Sequence, residues 1–405
     1  MEGNKAQEGD IASEGYGMHS VVHTWTEHVL NKTWNVEMAV LALDCVVLHI
    51  PVTNGPNSWA IQRRLMRHAA RCWSFVENGM IGADGKAQAL HHLGYLYTQQ
   101  GKYSDAEKMY ERALQGYERA RGREDPSTLD TVNNLGILYT DQGRLVEAEK
   151  MYARALHGYE RTLGREHPKT LDTVNNLGVL YADQGRLVEA EKMYERALHV
   201  YERTLGPEHL STLYAVNNLG VLYTDQGKLV EAEKMYERAL HGFERTLGRE
   251  HPTTLDTVNN LGVLYINQGK LVEAEKMYEQ ALHGYGIALG LEHPSTLDTI
   301  NNLARLYAKL GKLDEAAAMI QEVVEKRRRI LGDEHPDTIS AMRNLAVTLH
   351  AQRKLDEAAA MQGEVLEQRR RILGEDHPNT LSTMSNLAAT LHAQGKLEEA
   401  TEPRG

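Results

Sequence analysis

Apolar positions recur on two scales along this chain. At short range, Leu145, Ala148, Tyr152, Ala155, Tyr159 and Leu163 follow one another at alternating steps of three and four, which lines one face of an α-helix. Just upstream, Leu129, Val132, Leu135, Gly136 and Tyr139 are spaced in the same way. The two stretches predict a helix–turn–helix unit. Gly143 stands after the first helix and Gly164 after the second, where a residue in the left-handed region ends a helix. Pro168 then opens the next unit, at a position whose missing N–H costs nothing. At long range the whole unit returns. NNLG at Asn133–Gly136 reappears at Asn175–Gly178, Asn217–Gly220 and Asn259–Gly262, then as NNLA, RNLA and SNLA, with a divergent first copy, HHLG, at His91–Gly94. The leucines of these copies, Leu93 to Leu387, are spaced by 42 residues without slippage.

A fixed period of this size predicts a solenoid, in which each hairpin buries its apolar face against its neighbours rather than in one central core. The small residues Gly136, Ala148 and Ala155 are then points of close helix contact, where a larger side chain should cost about 1–3 kcal/mol. One connection departs from the pattern: Leu210 stands where its equivalent is Pro168, with Pro207 shifted upstream, and a different local path is expected there. The last copy stops at LEEATEPRG, early in its second helix.

The pattern L-G-x-x-Y followed by A-x-x-x-Y-x-x-A resembles the tetratricopeptide repeat. Its 42-residue period, longer than that family's usual 34, is similar to that of kinesin light chains. The resemblance covers more than three-quarters of the chain and implies an all-α, right-handed superhelical solenoid of about seven and a half helical hairpins over residues 85–405. It further implies that the first helices line a concave groove. The second asparagine of each NNL would there contact the backbone of a bound peptide: Asn134, Asn176, Asn218, Asn260, Asn302, Asn344 and Asn386. An amide carries both donor and acceptor, so it can bond any peptide unit whatever its side chain. The competing role for these residues is bracing of neighbouring helices.

Charge along the predicted inner face changes from end to end. Asp130, Asp172, Asp256 and Asp298 lie one turn before the asparagines, and Asp141, Asp183 and Asp225 about two turns after them. Later copies bring Arg305, Lys309 and Arg343 to similar places, so a peptide with one basic and one acidic end would match the gradient. Thr140, Ala182, Thr224 and Ile266 vary at one position while the packing residues stay fixed, as a retunable surface would. The arginine runs 327–329 and 369–371 are expected to form surface ion pairs and to complement helix C-termini.

Before the repeats the composition shifts. Residues 1–17 are polar and expected to be disordered, and residues 18–84 hold all four tryptophans. Within that segment Val21–Leu30 and Trp59–Val76 are expected to be helical, with a turn at Asn54–Ser58. Met18 and His19, with the WxxQRRLxxHAxRC pattern that starts at Trp59, resemble the junction between the nucleotide-binding core and the repeats of fungal STAND proteins. The phosphate-binding loop of that family is absent from the sequence, which argues against nucleotide binding by these residues. Whether a nucleotide-binding domain precedes Met1 in the gene is left open by the sequence.

Other chemistry is sparse. The 405 residues carry a net charge of −11, which offers nucleic acid and anionic membranes no attractive field. Cys45 and Cys72 lack metal-like spacing, and the glycine–lysine pairs lack the rest of a phosphate loop. The histidines that precede the helix-opening prolines occur once per copy, too far apart to share an ion, and are expected to be polar residues at helix starts. No catalytic, cofactor or metal site is expected, nor a leader or a membrane span, and the location expected is the cytoplasm. The function expected is a non-enzymatic scaffold or adaptor that binds a peptide or protein in its groove. The alternatives are the sensor half of a STAND-type switch and, with less support, a kinesin cargo adaptor, which would need a heptad coiled coil that this sequence lacks.

Overall fold

The computed structural model describes residues 35–51, 58–82 and 85–395. Over these residues the chain forms seventeen helices. Two precede the repeats, α1 (Val36–Leu48) and α2 (Ser58–Glu77). The first helices of the units, here A-helices, are α3 (Ala87–Gln99), α5 (Pro126–Asp141), α7 (Pro168–Asp183), α9 (Leu210–Asp225), α11 (Pro252–Asn267), α13 (Pro294–Lys309), α15 (Pro336–Ala351) and α17 (Pro378–Ala393). The second, or B-helices, are α4 (Tyr103–Arg121), α6 (Leu145–Thr162), α8 (Leu187–Thr204), α10 (Leu229–Thr246), α12 (Leu271–Ala288), α14 (Leu313–Leu331) and α16 (Leu355–Leu373). Seven hairpins and one further A-helix result, numbered units 1 to 8. The start expected to be disordered, the helix expected at Val21–Leu30, Met18, His19, most of the turn expected at Asn54–Ser58 and the last ten residues all lie outside the described residues.

Each unit is closed by the residues its sequence singled out. Gly143 and Gly164 have φ of 71° and 96°, and the equivalent glycines repeat these values along the array. In unit 7 the turn glycine is replaced by Arg353, which holds φ at 66°, a conformation that L side chains rarely adopt. His167 caps α7: its Nδ1 accepts the amide hydrogen of Lys169 at 3.2 Å. His209, His251, His293, His335 and His377 cap their helices in the same way. The connection into α9 is not different after all. Leu210 replaces proline at a site where only the amide hydrogen was dispensable, and His209 keeps both the capping bond and the backbone angles of His167.

Packing within a unit turns on one glycine. A Cβ built on Gly136 would lie 2.6 Å from Cε1 of Tyr152, and Gly178, Gly220 and Gly262 stand the same way against Tyr194, Tyr236 and Tyr278. Ala148 and Ala155 are fully buried. The apolar residues form successive clusters along the array, as a solenoid requires, and the first cluster runs without a break from α1 and α2 into units 1 to 3. The two N-terminal helices therefore cover the exposed face of unit 1.

Curvature follows from which helices touch. A-helices of neighbouring units contact one another along the array, whereas comparable contact between neighbouring B-helices is absent among the described residues. The A-helices therefore form the concave wall. On the B-helix side, ion pairs one unit apart repeat in rows, such as Arg196–Glu160 at 2.5 Å and Arg238–Glu202 at 2.7 Å. The superhelix closes quickly. Unit 7 returns to unit 1: Pro336 Cδ would lie 2.8 Å from a Cβ on Gly101, and His377 of unit 8 stands against Gly143 of unit 2. Arg63 of α2 donates to the carbonyl of Arg329 at 2.9 Å across the same gap. Six units thus complete one turn, and successive turns are in contact.

Candidate functional site

On each A-helix one stripe of side chains is left for the groove. In α7 it runs Asp172, Asn176, Val179 and Asp183, spaced by four, three and four residues. Asp172, Val179 and Asp183 are exposed and Asn176 is half-buried.

The asparagines form a ladder between units. The side-chain N–H of Asn176 donates to Oδ1 of Asn133 at 3.3 Å, Asn218 to Asn175 at 2.9 Å, Asn302 to Asn259 at 3.4 Å and Asn344 to Asn301 at 3.1 Å. Asn134 reaches His91 of unit 1 at 3.2 Å. Threonines strengthen the rungs: Thr173 donates to Asn133 and Thr257 to Asn217. Asn260 and Asn386 occupy the same register. Each rung uses one amide hydrogen of the second asparagine, so that side chain keeps capacity for a further partner.

The aspartates before the asparagines are also engaged. Asp130, Asp172 and Asp256 accept the hydroxyls of Tyr159, Tyr201 and Tyr285 in their own units. Asp298 pairs with Arg327, which also donates to the carbonyl of Asp337 at 2.8 Å. Desolvation by the concave wall nonetheless raises the pKa of Asp172, Asp256 and Asp298, although each is open to the groove; the tyrosine hydroxyls and Arg327 act against that rise. Further along, desolvation pushes Asp141 up to about 6, with Asp183 and Asp337 adding to it, and it also raises Asp183 and Asp225.

Among the late residues, Arg305 and Lys309 are exposed and Arg343 is half-buried on the same wall. Arg305 takes the register of Val179, and Arg343 that of Asn175. Two expectations need correction. The row Thr140, Ala182, Thr224 and Ile266 is not a variable surface. Thr224 is buried and bonds Gly220 and the Tyr236 hydroxyl, while Ala182 and Ile266 pack into the inter-unit clusters. The arginine runs are not uniform either. Arg328, Arg329, Arg370 and Arg371 form surface pairs, but Arg327 and Arg369 are only 2% and 6% exposed. A run of three on a helix turns about 200° across its length, which carries its first member onto the packed face.

Sequence reasoning missed the valines. Val179, Val221, Val263 and Val347 are 41%, 39%, 37% and 46% exposed, an apolar row beside the asparagine ladder. The signal was present: each lies three residues after the second asparagine of its copy, and so on the same helix face.

The profile of the tetratricopeptide repeat matches residues 85–161, 131–203, 170–244, 210–285, 295–367 and 348–403, well over half of the sequence. The chain belongs to the tetratricopeptide-repeat family. Solved structures similar to it include a putative kinesin light chain from Podospora anserina with nearly identical TPR-like repeats. That chain is 29% identical over 51% of this one and 98% of itself, with a TM-score of 0.42. A STAND protein with a tetratricopeptide-repeat sensor from Pyrococcus horikoshii is 16% identical over 92% of this chain and 53% of its own, with a TM-score of 0.49. A Rap protein complexed with competence and sporulation factor is 13% identical over 90% and 100%, with a TM-score of 0.50, a likeness of fold alone. The sequence matches none of the curated proteins compared with it. Among the described residues of this tetratricopeptide-repeat chain, no helix is long and apolar enough to cross a membrane.

Proposed function

We propose that the array is a non-catalytic interaction scaffold whose concave wall holds an extended peptide or a partner segment. The exposed valine row carries this reading. Val179, Val221 and Val263 leave apolar surface in water on a wall that is otherwise polar, at one step per unit, with an asparagine one turn before each and Asp183, Asp225 or Asn267 one turn after. A bound chain would place apolar side chains against the valines and its peptide groups against Asn134, Asn176, Asn218, Asn260, Asn302, Asn344 and Asn386. The acidic residues of units 2 to 5, among them Asp172 and Asp256, favour a basic end there, and Arg305 and Arg343 favour an acidic end further along.

The test is selection of peptides from a displayed random library on the wild-type protein, followed by anisotropy titrations of those recovered. Val179/Val221/Val263→Asp changes only exposed positions, so it should keep its helical circular-dichroism signal and bind at least about tenfold more weakly. Asp172/Asp256→Ala should weaken peptides with a basic end selectively. Recovered peptides that bind both variants as tightly as wild type would sink the reading.

A further inference from the structure

In units 2 to 6 the core position of Tyr159 in the B-helix has a partner 29 residues earlier on the A-helix of its own unit. In units 2, 3 and 5 the pair is tyrosine with aspartate. In unit 4 both members change together, and Phe243 packs on Tyr214 with ring centroids 5.3 Å apart. In unit 6 it is Arg327 with Asp298. Unit 7 breaks the series: Arg369 is as deeply placed as Arg327, but the partner position holds Ser340. Arg369 donates from Nη1 to the carbonyl of Asn379 and to Thr383 Oγ1, both at 2.8 Å, and pairs with no carboxylate among the described residues. Burial lowers its pKa to about 10, and the nearby charge of Arg343 adds to the lowering. A buried guanidinium without a counter-ion is costly, and such a charge is ordinarily paired.

Arg369 and Ser340 line a cavity of about 430 Å³ between the superhelical turns, a volume in the range that small ligands occupy. The facing wall, from units 2 and 3, carries Asp141 and Asp183. Ile339, Ile372 and Leu373 of unit 7 and Leu145 of unit 2 supply apolar lining. Among the described residues, one cavity therefore holds a buried cation without a paired anion and, opposite, carboxylates without a paired cation.

We infer that this cavity binds a residue bearing both a carboxylate and a cationic side chain, either a free basic amino acid or the C-terminal Lys or Arg of another chain. The carboxylate sits against Arg369 and Ser340, the methylenes against the aliphatic lining, and the cation against Asp141 and Asp183. Because the two walls belong to different turns, the ligand bridges them. The inference does not rest on the valine row, and failure of either reading leaves the other standing.

The test is calorimetric titration of the whole chain with L-arginine, with agmatine, which lacks the carboxylate, and with Gly-Gly-Gly-Arg and its C-terminal amide. L-Arginine or the free-acid peptide should bind, with agmatine and the amide at least about tenfold weaker, as expected for loss of a charged hydrogen bond. Binding of L-arginine without the peptide identifies a free amino acid as the ligand, and tighter binding of the peptide identifies a chain terminus. Ser340→Asp recreates the pair of unit 6 and should raise the melting temperature while abolishing binding. Asp141/Asp183→Asn, at exposed positions that keep the fold, should weaken binding at least about tenfold. No heat up to about 10 mM ligand, weaker than any affinity worth a site, would overturn the inference. So would equal affinity for L-arginine and agmatine, or unchanged affinity in the aspartate variant.

Discussion

In unit 3 the ring of Tyr194 packs against Gly178; in unit 6 the same two places hold Ile320 and Ala304, both fully buried. In unit 3 Tyr201 bonds Asp172; in unit 6 Arg327 pairs with Asp298. Units 3 and 6 thus share one backbone and meet the same two packing requirements with different residues, changed in compensating pairs. Unit 3 is aromatic, with a neutral hydroxyl as the polar donor, and unit 6 is aliphatic, with a charged donor. What is held constant is the volume between two helices and the satisfaction of one polar group, and the identity of either residue alone is free.

The largest difference should appear when the polar partner is removed. Asp298→Ala leaves the charge of Arg327 buried and unpaired, at a cost of about 3 kcal/mol, toward the low end for such a loss because Asp298 is open to the groove. Asp172→Ala removes a hydrogen bond whose donor is a neutral hydroxyl, and should cost about 1 kcal/mol. Urea denaturation of the two variants measures the contrast, and equal losses would mean that the two pairs are energetically alike. Next in size is Gly178→Ala, which drives a methyl group into the Tyr194 ring and should cost about 2 kcal/mol. Adding Tyr194→Ile recreates unit 6 and should return most of that loss. A double-mutant cycle without coupling would break the idea of compensating pairs.

The period of 42 made the repeated hairpins legible, because glycine and proline punctuation and three-four spacing act locally and each copy confirms the others. Burial of Arg327 and Arg369 was legible in principle: aligned by copy, they fall in the column of Tyr159, Tyr201, Phe243 and Tyr285. Read as a run of like charges, they looked like surface. The inter-unit rungs of the asparagines could be weighed against groove contact but not decided, since both roles ask for an amide at the same place. Closure after six units was not legible. It depends on a small rotation per hairpin, summed over many interfaces, and no single residue carries it. The cavity between turns, with Arg369 on one wall and Asp141 on the other, follows from that closure and was invisible for the same reason.

Two smaller substitutions refine the comparison at the turn after each A-helix. Arg353 adopts a left-handed conformation where every earlier unit places glycine. Arg353→Gly should stabilise the chain by about 1 kcal/mol, since relief of about 1–2 kcal/mol of strain exceeds the added freedom of the unfolded chain. The matching change in unit 3, Gly185→Arg, should destabilise by a similar amount, and thermal melts of both test whether the penalty belongs to the turn or to its surroundings.

The smallest effect concerns the last residue of the A-helix, where unit 4 has Asp225 and unit 6 has Lys309. The carbonyl end of a helix repels a carboxylate and attracts an ammonium group, so Asp225→Lys should gain about 0.5–1 kcal/mol at neutral pH. Desolvation already raises the pKa of Asp225 above its ordinary value. A carboxylate so raised favours the folded chain fully below the unfolded pKa and loses that favour as the pH climbs through the folded one. Wild type should therefore regain stability relative to the variant as the pH is lowered, and the gain from lysine should shrink in melts taken from neutral pH down to about pH 4, near the ordinary carboxyl value. A gain that stayed constant with pH would show that the aspartate is not the strained partner, and that the acidic end of the early units costs the fold nothing.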